Sequence, residues 1–152
     1  DKGVFLNKSY EEVNLAAPAL VQGLHEEYVR AGADVLETNT FGASRAKLAP
    51  HGLAERLGEI NLAGARLARA AAASRPGVLV AGAVGPLGLK IEPWGPTSRD
   101  EARAMFAEQL RWLVEGGIDL IVLETFADLN EMGEAIRAAR EVCSLPVVAQ
   151  MT

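Results

Sequence analysis

The sequence contains a single cysteine, Cys143, so it cannot form an internal disulfide, and one thiol cannot by itself build a zinc site. It has no apolar stretch of the kind that directs secretion, and its apolar runs are too short to span a bilayer. Its 15 basic residues are scattered among 20 acidic ones, giving a net charge of −5 and no basic patch for nucleic acid. We therefore expect a cytoplasmic protein whose partner is a small molecule, not a membrane or a nucleic acid.

Aromatic residues are also scarce, at 5%, but a hydrophobic content of 49% in 152 residues is enough to bury one core. Apolar runs predict four strands, at residues 34–38, 78–84, 119–123 and 147–151, separated by segments with helical periodicity. This alternation predicts an α/β fold with a parallel sheet, either flavodoxin-like or half of an eight-stranded barrel. The barrel is favoured because no phosphate loop follows the first strand.

One βα unit occurs twice in the sequence. Residues 31–47 read AGADVLETNTFGASRAK, and residues 116–131 read GGIDLIVLETFADLNE. Alignment on the Gly-x-Asp that opens each copy brings Asn39 opposite Glu124. Ligands of parallel sheets and barrels bind at the carboxyl ends of the strands, so the polar residues that end both copies are candidates for a binding site. From the two-residue period of a strand, we expect Asn39 and Glu124 on the same side of the sheet.

Three other features each have a structural and a functional interpretation. His25 lies in a helix whose predicted apolar stripe includes Leu24 and Tyr28, and we expect it to be solvated because no second metal ligand stands at a suitable spacing. The segment GAVGPLG, residues 82–88, lacks the Lys-Ser or Lys-Thr of a phosphate loop. The favoured interpretation is that its glycines let a ligand or a neighbouring strand come close to the backbone. Trp94 is expected either to cover a pocket mouth or to pack on the barrel rim.

Three segments of the sequence resemble the homocysteine S-methyltransferase family. In order along the chain, they are GADVLETNTFGASRAKLA, AGAVGPLG and DLIVLETFADLNEM. That family includes the amino-terminal barrel of methionine synthases, betaine-homocysteine methyltransferases, and proteins that fuse this domain to a methylenetetrahydrofolate reductase. The resemblance implies a zinc-dependent (β/α)8 TIM barrel that transfers a methyl group to the thiol of homocysteine and gives methionine. Residues 1–152 are then about four consecutive βα units of a single barrel domain, without its first strand and without the later strands that carry the zinc-binding cysteines.

The same resemblance implies which residues bind the substrate. Glu124 corresponds to a glutamate at the end of a strand that binds the substrate ammonium through a charge-assisted hydrogen bond. The loop that holds the substrate carboxylate, largely through backbone N–H groups, corresponds to Thr38, Asn39, Thr40, Phe41 and Gly42. Glu37, on the first strand, is expected to be buried and hydrogen-bonded inside the barrel. The resemblance places no catalytic residue and no metal ligand within this sequence.

Two alternatives stay open at this point. One is another barrel enzyme, such as a pterin-binding methyltransferase, and the other is a non-catalytic half-barrel that serves as an interaction module. The family uses a methylfolate through cobalamin, betaine, or S-methylmethionine as methyl donor, and the sequence does not distinguish among them. A fused reductase domain, or folate and cobalamin domains, would also be consistent with the family. The exposed strand edges of a half-barrel predict that the isolated 152 residues associate.

Overall fold

The computed structural model describes residues 9–152, which contain one four-stranded parallel sheet. The strands β1, β2, β3 and β4 span Val35–Glu37, Leu79–Val84, Leu120–Phe126 and Val147–Met151. They lie side by side in chain order, β1-β2-β3-β4. A flavodoxin-like sheet changes direction at a switch point, whereas consecutive strands of a barrel are neighbours, so this order favours the barrel. The predicted α/β class with a parallel sheet is confirmed.

Helices separate the strands, as the periodicity predicts. Within residues 9–152 the α-helices are α1 (Val13–Ala16), α2 (Pro18–Arg30), α3 (Arg45–Leu48), α4 (Leu57–Ala72), α5 (Arg99–Glu115) and α6 (Leu129–Val142). Helix α5 begins with a capping box, in which the Ser98 hydroxyl accepts the Glu101 N–H and the Glu101 carboxylate accepts the Ser98 N–H. In this described part of the chain, no helix has both the length and the apolar character needed to cross a membrane.

The two faces of the sheet differ in what covers them. Side chains of β1, β2 and β3 that face the helices are packed, and Leu36, Val80 and Ile121 are at most 3% exposed. On the opposite face, Leu79 and Val148 are 45% and 41% exposed. Residues 9–152 therefore bury the helical side of the first three strands and leave β4 and part of the other side, the interior side in a barrel, open to solvent.

Both copies of the Gly-x-Asp motif hold the amino end of a strand in place. Asp34, before β1, pairs with Arg75 at 3.0 Å, and Asp119, before β3, pairs with Arg69 at 2.7 Å. Asp119 also accepts the backbone N–H of Val80 at 2.7 Å, which links the starts of β3 and β2. These contacts lie at the amino ends of the strands, so the two aspartates have a structural role away from the carboxyl ends where ligands bind.

Candidate functional site

Glu124 lies near the carboxyl end of β3 and has a free carboxylate. The side chain is half-buried, and it makes no hydrogen bond or ion pair with any residue in 9–152. The pKa of Glu124 is raised above that of an ordinary glutamate, first by desolvation and second by the negative charge of Glu37. A ligand cation at this position would stabilise the ionised form, so Glu124 is suited to bind an ammonium group.

A backbone irregularity follows Glu124 directly. The register between β3 and β4 shifts between Leu123 and Phe126, and Thr125 adopts a φ of 64°. Positive φ is rare for a β-branched residue, and a local break in a strand changes the direction of the side chains around it. The sequence predicts an end to the strand at residue 123, whereas β3 continues through Glu124 to Phe126. No sequence signal marks the irregularity, because threonine does not favour this conformation.

The loop after β1, residues 38–43, is fastened to β2 by two threonine hydroxyls. Thr38 and Thr40 are buried, and their hydroxyl oxygens are 2.6 Å apart. Thr40 donates to the carbonyl of Ala83 at 2.8 Å, so the proton between the two hydroxyls comes from Thr38. Thr38 in turn accepts the Ala83 N–H at 3.0 Å. From α5, the buried Gln109 amide donates to the Thr40 carbonyl at 2.8 Å, which fixes the loop from the helical side.

The segment before α2 holds the same loop from the other side. The Asn39 amide donates to the carbonyl of Tyr10 at 2.9 Å and to the Asn14 side chain at 3.0 Å. The Asn14 amide donates back to the Asn39 carbonyl at 2.8 Å. Glu11 accepts the Gly42 N–H at 2.7 Å, and a Cβ at Gly42 would lie 2.7 Å from the Glu11 carboxylate. These contacts of Glu11 and Asn14 cannot be predicted from the sequence, since no local pattern indicates contacts across 25 to 31 positions.

These contacts leave two backbone donors of the loop without a partner. The N–H groups that hydrogen-bond within residues 9–152 belong to Thr38, Thr40, Gly42 and Ala43. Those of Asn39 and Phe41 make no hydrogen bond within the same range. Because the Asn39 side chain is already engaged, the loop offers its main chain to an anion, and the threonine hydroxyls are used for internal support. That the loop binds substrate stays a prediction.

Phe41 packs on the glycine-rich segment that follows β2. The Gly85 N–H donates to the Phe41 carbonyl at 2.9 Å, and a Cβ at Gly85 would lie 2.4 Å from the Phe41 ring. At Gly82, within β2, an added Cβ would lie 2.7 Å from the Ile118 side chain. The glycines therefore allow close approach of neighbouring side chains, in agreement with the interpretation favoured from the sequence.

Two residues that the sequence analysis singles out are exposed in the described part of the chain. Glu37 is exposed because residues 9–152 do not cover the sheet face on which it lies, and its burial inside a complete barrel stays a prediction. Trp94 is 73% exposed, so within residues 9–152 it does not pack on the rim of the sheet, and the alternative that it covers a pocket mouth stays a prediction. The chain around it closes a loop through a parallel bridge between Ile91 and Thr97, and Ile91 is buried whereas the tryptophan is not.

A groove of about 830 Å³ lies between α2 and the edge of β1 that pairs with no strand within residues 9–152. Its walls include Leu24, Tyr28 and Val35, which are 53%, 56% and 43% exposed. His25 also lines the groove, but it is only 7% exposed, and its Nε2 atom has no hydrogen-bond partner within residues 9–152. Burial lowers the pKa of His25. The expectation of a solvated His25 is therefore wrong: α2 is rotated so that His25 joins Val21 on the buried side, while the predicted stripe residues Leu24 and Tyr28 face the groove.

The described residues do not provide a metal site. Within residues 9–152, no three His, Cys, Asp or Glu side chains lie together in a way that could hold a metal ion. Cys143 is half-buried at the end of α6 and forms no disulfide. A zinc ion, as implied by the family resemblance, therefore does not fit the side chains of this part of the chain.

Comparisons with known proteins agree with the fold and the motifs. A family model described as homocysteine S-methyltransferase matches residues 5–152. Methionine synthase of Mycobacterium tuberculosis (strain ATCC 25618 / H37Rv) is 30% identical, over 93% of this chain and 13% of that protein, and methionine synthase of Mycobacterium leprae (strain TN) is 29% identical, over 93% and 12%. The crystal structure of the homocysteine methyltransferase MmuM from Escherichia coli in its oxidized form superposes with a TM-score of 0.82 at 26% identity, over 95% of this chain and 55% of that one. Its metallated form matches with the same TM-score and identity. The chain thus spans about half the length of the solved relative and a small part of the methionine synthases.

Proposed function

Because this chain belongs to the homocysteine S-methyltransferase family, we propose that it forms part of a barrel enzyme that transfers a methyl group to the thiol of homocysteine. In that reaction the sulfur attacks the methyl carbon, a sulfur–carbon bond forms, the bond from the methyl group to its donor breaks, and the thiol proton is lost. The product is methionine. The residues described here would bind and orient the amino-acid end of homocysteine.

The main support for this proposal is that a hydrogen-bond acceptor and a pair of hydrogen-bond donors, all without partners in residues 9–152, lie at the same edge of the sheet. Glu124 offers a carboxylate with no partner within residues 9–152, and the loop after β1 offers the N–H groups of Asn39 and Phe41. An α-amino acid carries an ammonium and a carboxylate on the same carbon atom. The ammonium would bind Glu124, and the carboxylate would accept from the two N–H groups.

The spacing of the strands supports the same pairing. Glu124 and the loop belong to β3 and β1, which are separated by β2. Neighbouring strands are about 4.8 Å apart, so β1 and β3 are roughly 10 Å apart. A backbone separation of that size allows one small molecule to contact the Glu124 side chain at one end and the loop after β1 at the other.

The remainder of the barrel is proposed to lie outside residues 9–152. The partly exposed sheet face, with Leu79 and Val148 open to solvent, supports further strands that would cover it. The solved relative is almost twice as long as the matched region. Zinc is a proposed cofactor of the complete barrel, and it would be held by cysteines outside this sequence. We assign it no ligand here and no step in what the described residues do.

A direct test is methyl transfer by the complete protein that contains this chain. The purified protein would be incubated with L-homocysteine and, in separate reactions, with a methylfolate and cobalamin, with betaine, or with S-methylmethionine. Methionine would be measured by mass spectrometry. The proposal predicts methionine formation with one of these donors, and a Glu124→Gln variant should need more homocysteine to reach half its maximal rate. No methionine with any donor would contradict the proposal and would favour the non-catalytic half-barrel.

A further inference from the structure

Glu131 is a buried carboxylate that neither the family resemblance nor the proposed binding site uses. It lies in the first turn of α6 and is 6% exposed. Its spacing from Asp128 resembles a capping box, but the Asp128 side chain caps the helix alone by accepting the Asn130 N–H at 2.8 Å. Glu131 instead accepts the N–H of Leu87 at 2.7 Å, across 44 positions of sequence. A carboxylate buried at this position needs a specific role to offset the cost of its desolvation.

The Leu87 contact connects α6 to the loop beneath Phe41. Leu87 is buried two residues after Gly85, whose N–H donates to the Phe41 carbonyl and whose surface supports the Phe41 ring. Helix α6 itself begins three residues after β3, the strand that carries Glu124. One chain of contacts therefore runs from the strand of Glu124, through Glu131 and the loop after β2, to the loop that offers free N–H groups.

We propose that Glu131 is a positioning residue that sets the spacing between Glu124 and the backbone donors of Asn39 and Phe41. This inference rests on the proposed function, because it assigns a role in holding the two ends of the same amino-acid substrate. Without the Glu131 carboxylate, the segment of residues 85–88 loses its attachment to α6 and with it the fixed support for Phe41. The ammonium site on β3 would remain, but the carboxylate site would no longer lie at a fixed distance from it.

Two ligands separate this role from a general effect on stability. L-Homocysteine has both an ammonium and a carboxylate, whereas 3-aminopropane-1-thiol has the ammonium and the thiol but no carboxylate. Binding of each would be measured by calorimetry with the complete protein and with its Glu131→Ala variant. The expected result is a loss of roughly tenfold in affinity for homocysteine, the usual effect of leaving one buried hydrogen-bonding group without its partner, and a change of less than about twofold for the aminothiol.

Matched variants keep the test decisive. Glu134→Ala removes another buried carboxylate of α6, which is 2% exposed and pairs with Arg137, not with the loop. It should leave the ratio of the two affinities unchanged. Glu131→Gln keeps an oxygen that can accept the Leu87 N–H and should restore most of the homocysteine affinity. Glu131→Asp, which shortens the side chain by one methylene, should give an intermediate loss and serves if the alanine variant does not fold.

The outcomes distinguish the two proposals. Equal losses for homocysteine and the aminothiol, or none for either, would overturn the positioning role of Glu131 and leave the methyltransferase proposal intact. Failure of the unaltered protein to bind homocysteine would overturn both. A selective loss for homocysteine that Gln reverses, with Glu134→Ala unaffected, is the result that the positioning role requires.

Discussion

Replacement of Glu124 by glutamine should weaken homocysteine binding by about ten- to thirtyfold at neutral pH. The change removes one charge-assisted hydrogen bond, and such bonds contribute roughly 1.5–3 kcal/mol. Because Glu124 is only half-buried, solvent screening places the effect at the lower end, at about 1.5–2 kcal/mol, and each 1.4 kcal/mol is a factor of about ten in Kd. The glutamine has nearly the same shape, so the loss reports the charge and not a cavity.

The dependence of this loss on pH gives a sharper test. The pKa of Glu124 is raised in the free protein, and a bound ammonium would lower it. As the pH falls through the raised pKa, the carboxylate takes up a proton, so homocysteine affinity should fall, by up to about tenfold per pH unit. The ratio of the affinities of the unaltered protein and Glu124→Gln cancels the titration of the thiol. That ratio should be constant at neutral pH and approach one in acid.

Glu37→Gln is the matched control, since it removes a carboxylate from the same face of the sheet. Glu37 raises the pKa of Glu124, so removing the Glu37 charge should lower that pKa. The pH range in which the affinity ratio falls towards one should then shift to lower pH. At neutral pH the same variant should change the affinity by less than about threefold, the usual size of an effect between exposed charges. Calorimetric titration of the complete protein between pH 5 and pH 8 would measure both effects. A ratio independent of pH, or an equal loss in Glu37→Gln and Glu124→Gln at neutral pH, would refute the role of Glu124.

Three further predictions concern stability and the shape of the site. Burial lowers the pKa of His25, so as the pH falls the unfolded chain protonates this histidine before the folded protein does. The contribution of His25 to the free energy of unfolding should therefore be constant above about pH 6.5 and fall by up to about 1.4 kcal/mol per pH unit below it. In urea titrations, His25→Gln should remove this dependence on pH. Gly85→Ala should push the Phe41 ring outward, which weakens homocysteine binding and lowers the free energy of unfolding by about 1 kcal/mol. Gly23→Ala, where nothing lies near the added Cβ, should stabilise α2 by about 1 kcal/mol and leave binding unchanged. Equal effects of the two variants on homocysteine binding would contradict a role for the contact between Gly85 and Phe41. Thr125→Gly removes the backbone strain of a threonine at positive φ, so it should not lower the free energy of unfolding measured by thermal unfolding. A loss above about 1 kcal/mol would show that the threonine side chain contributes more stability than its backbone strain costs.

The order of the elements and the edge that carries the candidate site could be predicted because both depend on local patterns. Apolar runs and glycine stops define the βα units, and the repeated motif places Glu124 and Asn39 at strand ends. The supports of the site could not be predicted, since the bonds from Glu11 to Gly42 and from Gln109 to Thr40 span 31 and 69 positions.

The error at His25 has a different origin. Helical periodicity identifies which residues share a side of α2, but not how the helix is rotated against the sheet. The packed side contains Val21 and His25, while Leu24, which the periodicity would also bury, faces the groove beside β1 and is 53% exposed within residues 9–152. The φ of Thr125 likewise coincides with the register shift between β3 and β4, which no single segment encodes.

The most direct test of the proposed site is a crystal structure of the complete protein with L-homocysteine bound. The account predicts the substrate nitrogen within about 3 Å of a Glu124 oxygen, and the substrate carboxylate within about 3 Å of the backbone nitrogen atoms of Asn39 and Phe41. Homocysteine bound at this edge in the reverse orientation, or bound elsewhere with Glu124 uncontacted, would contradict the account.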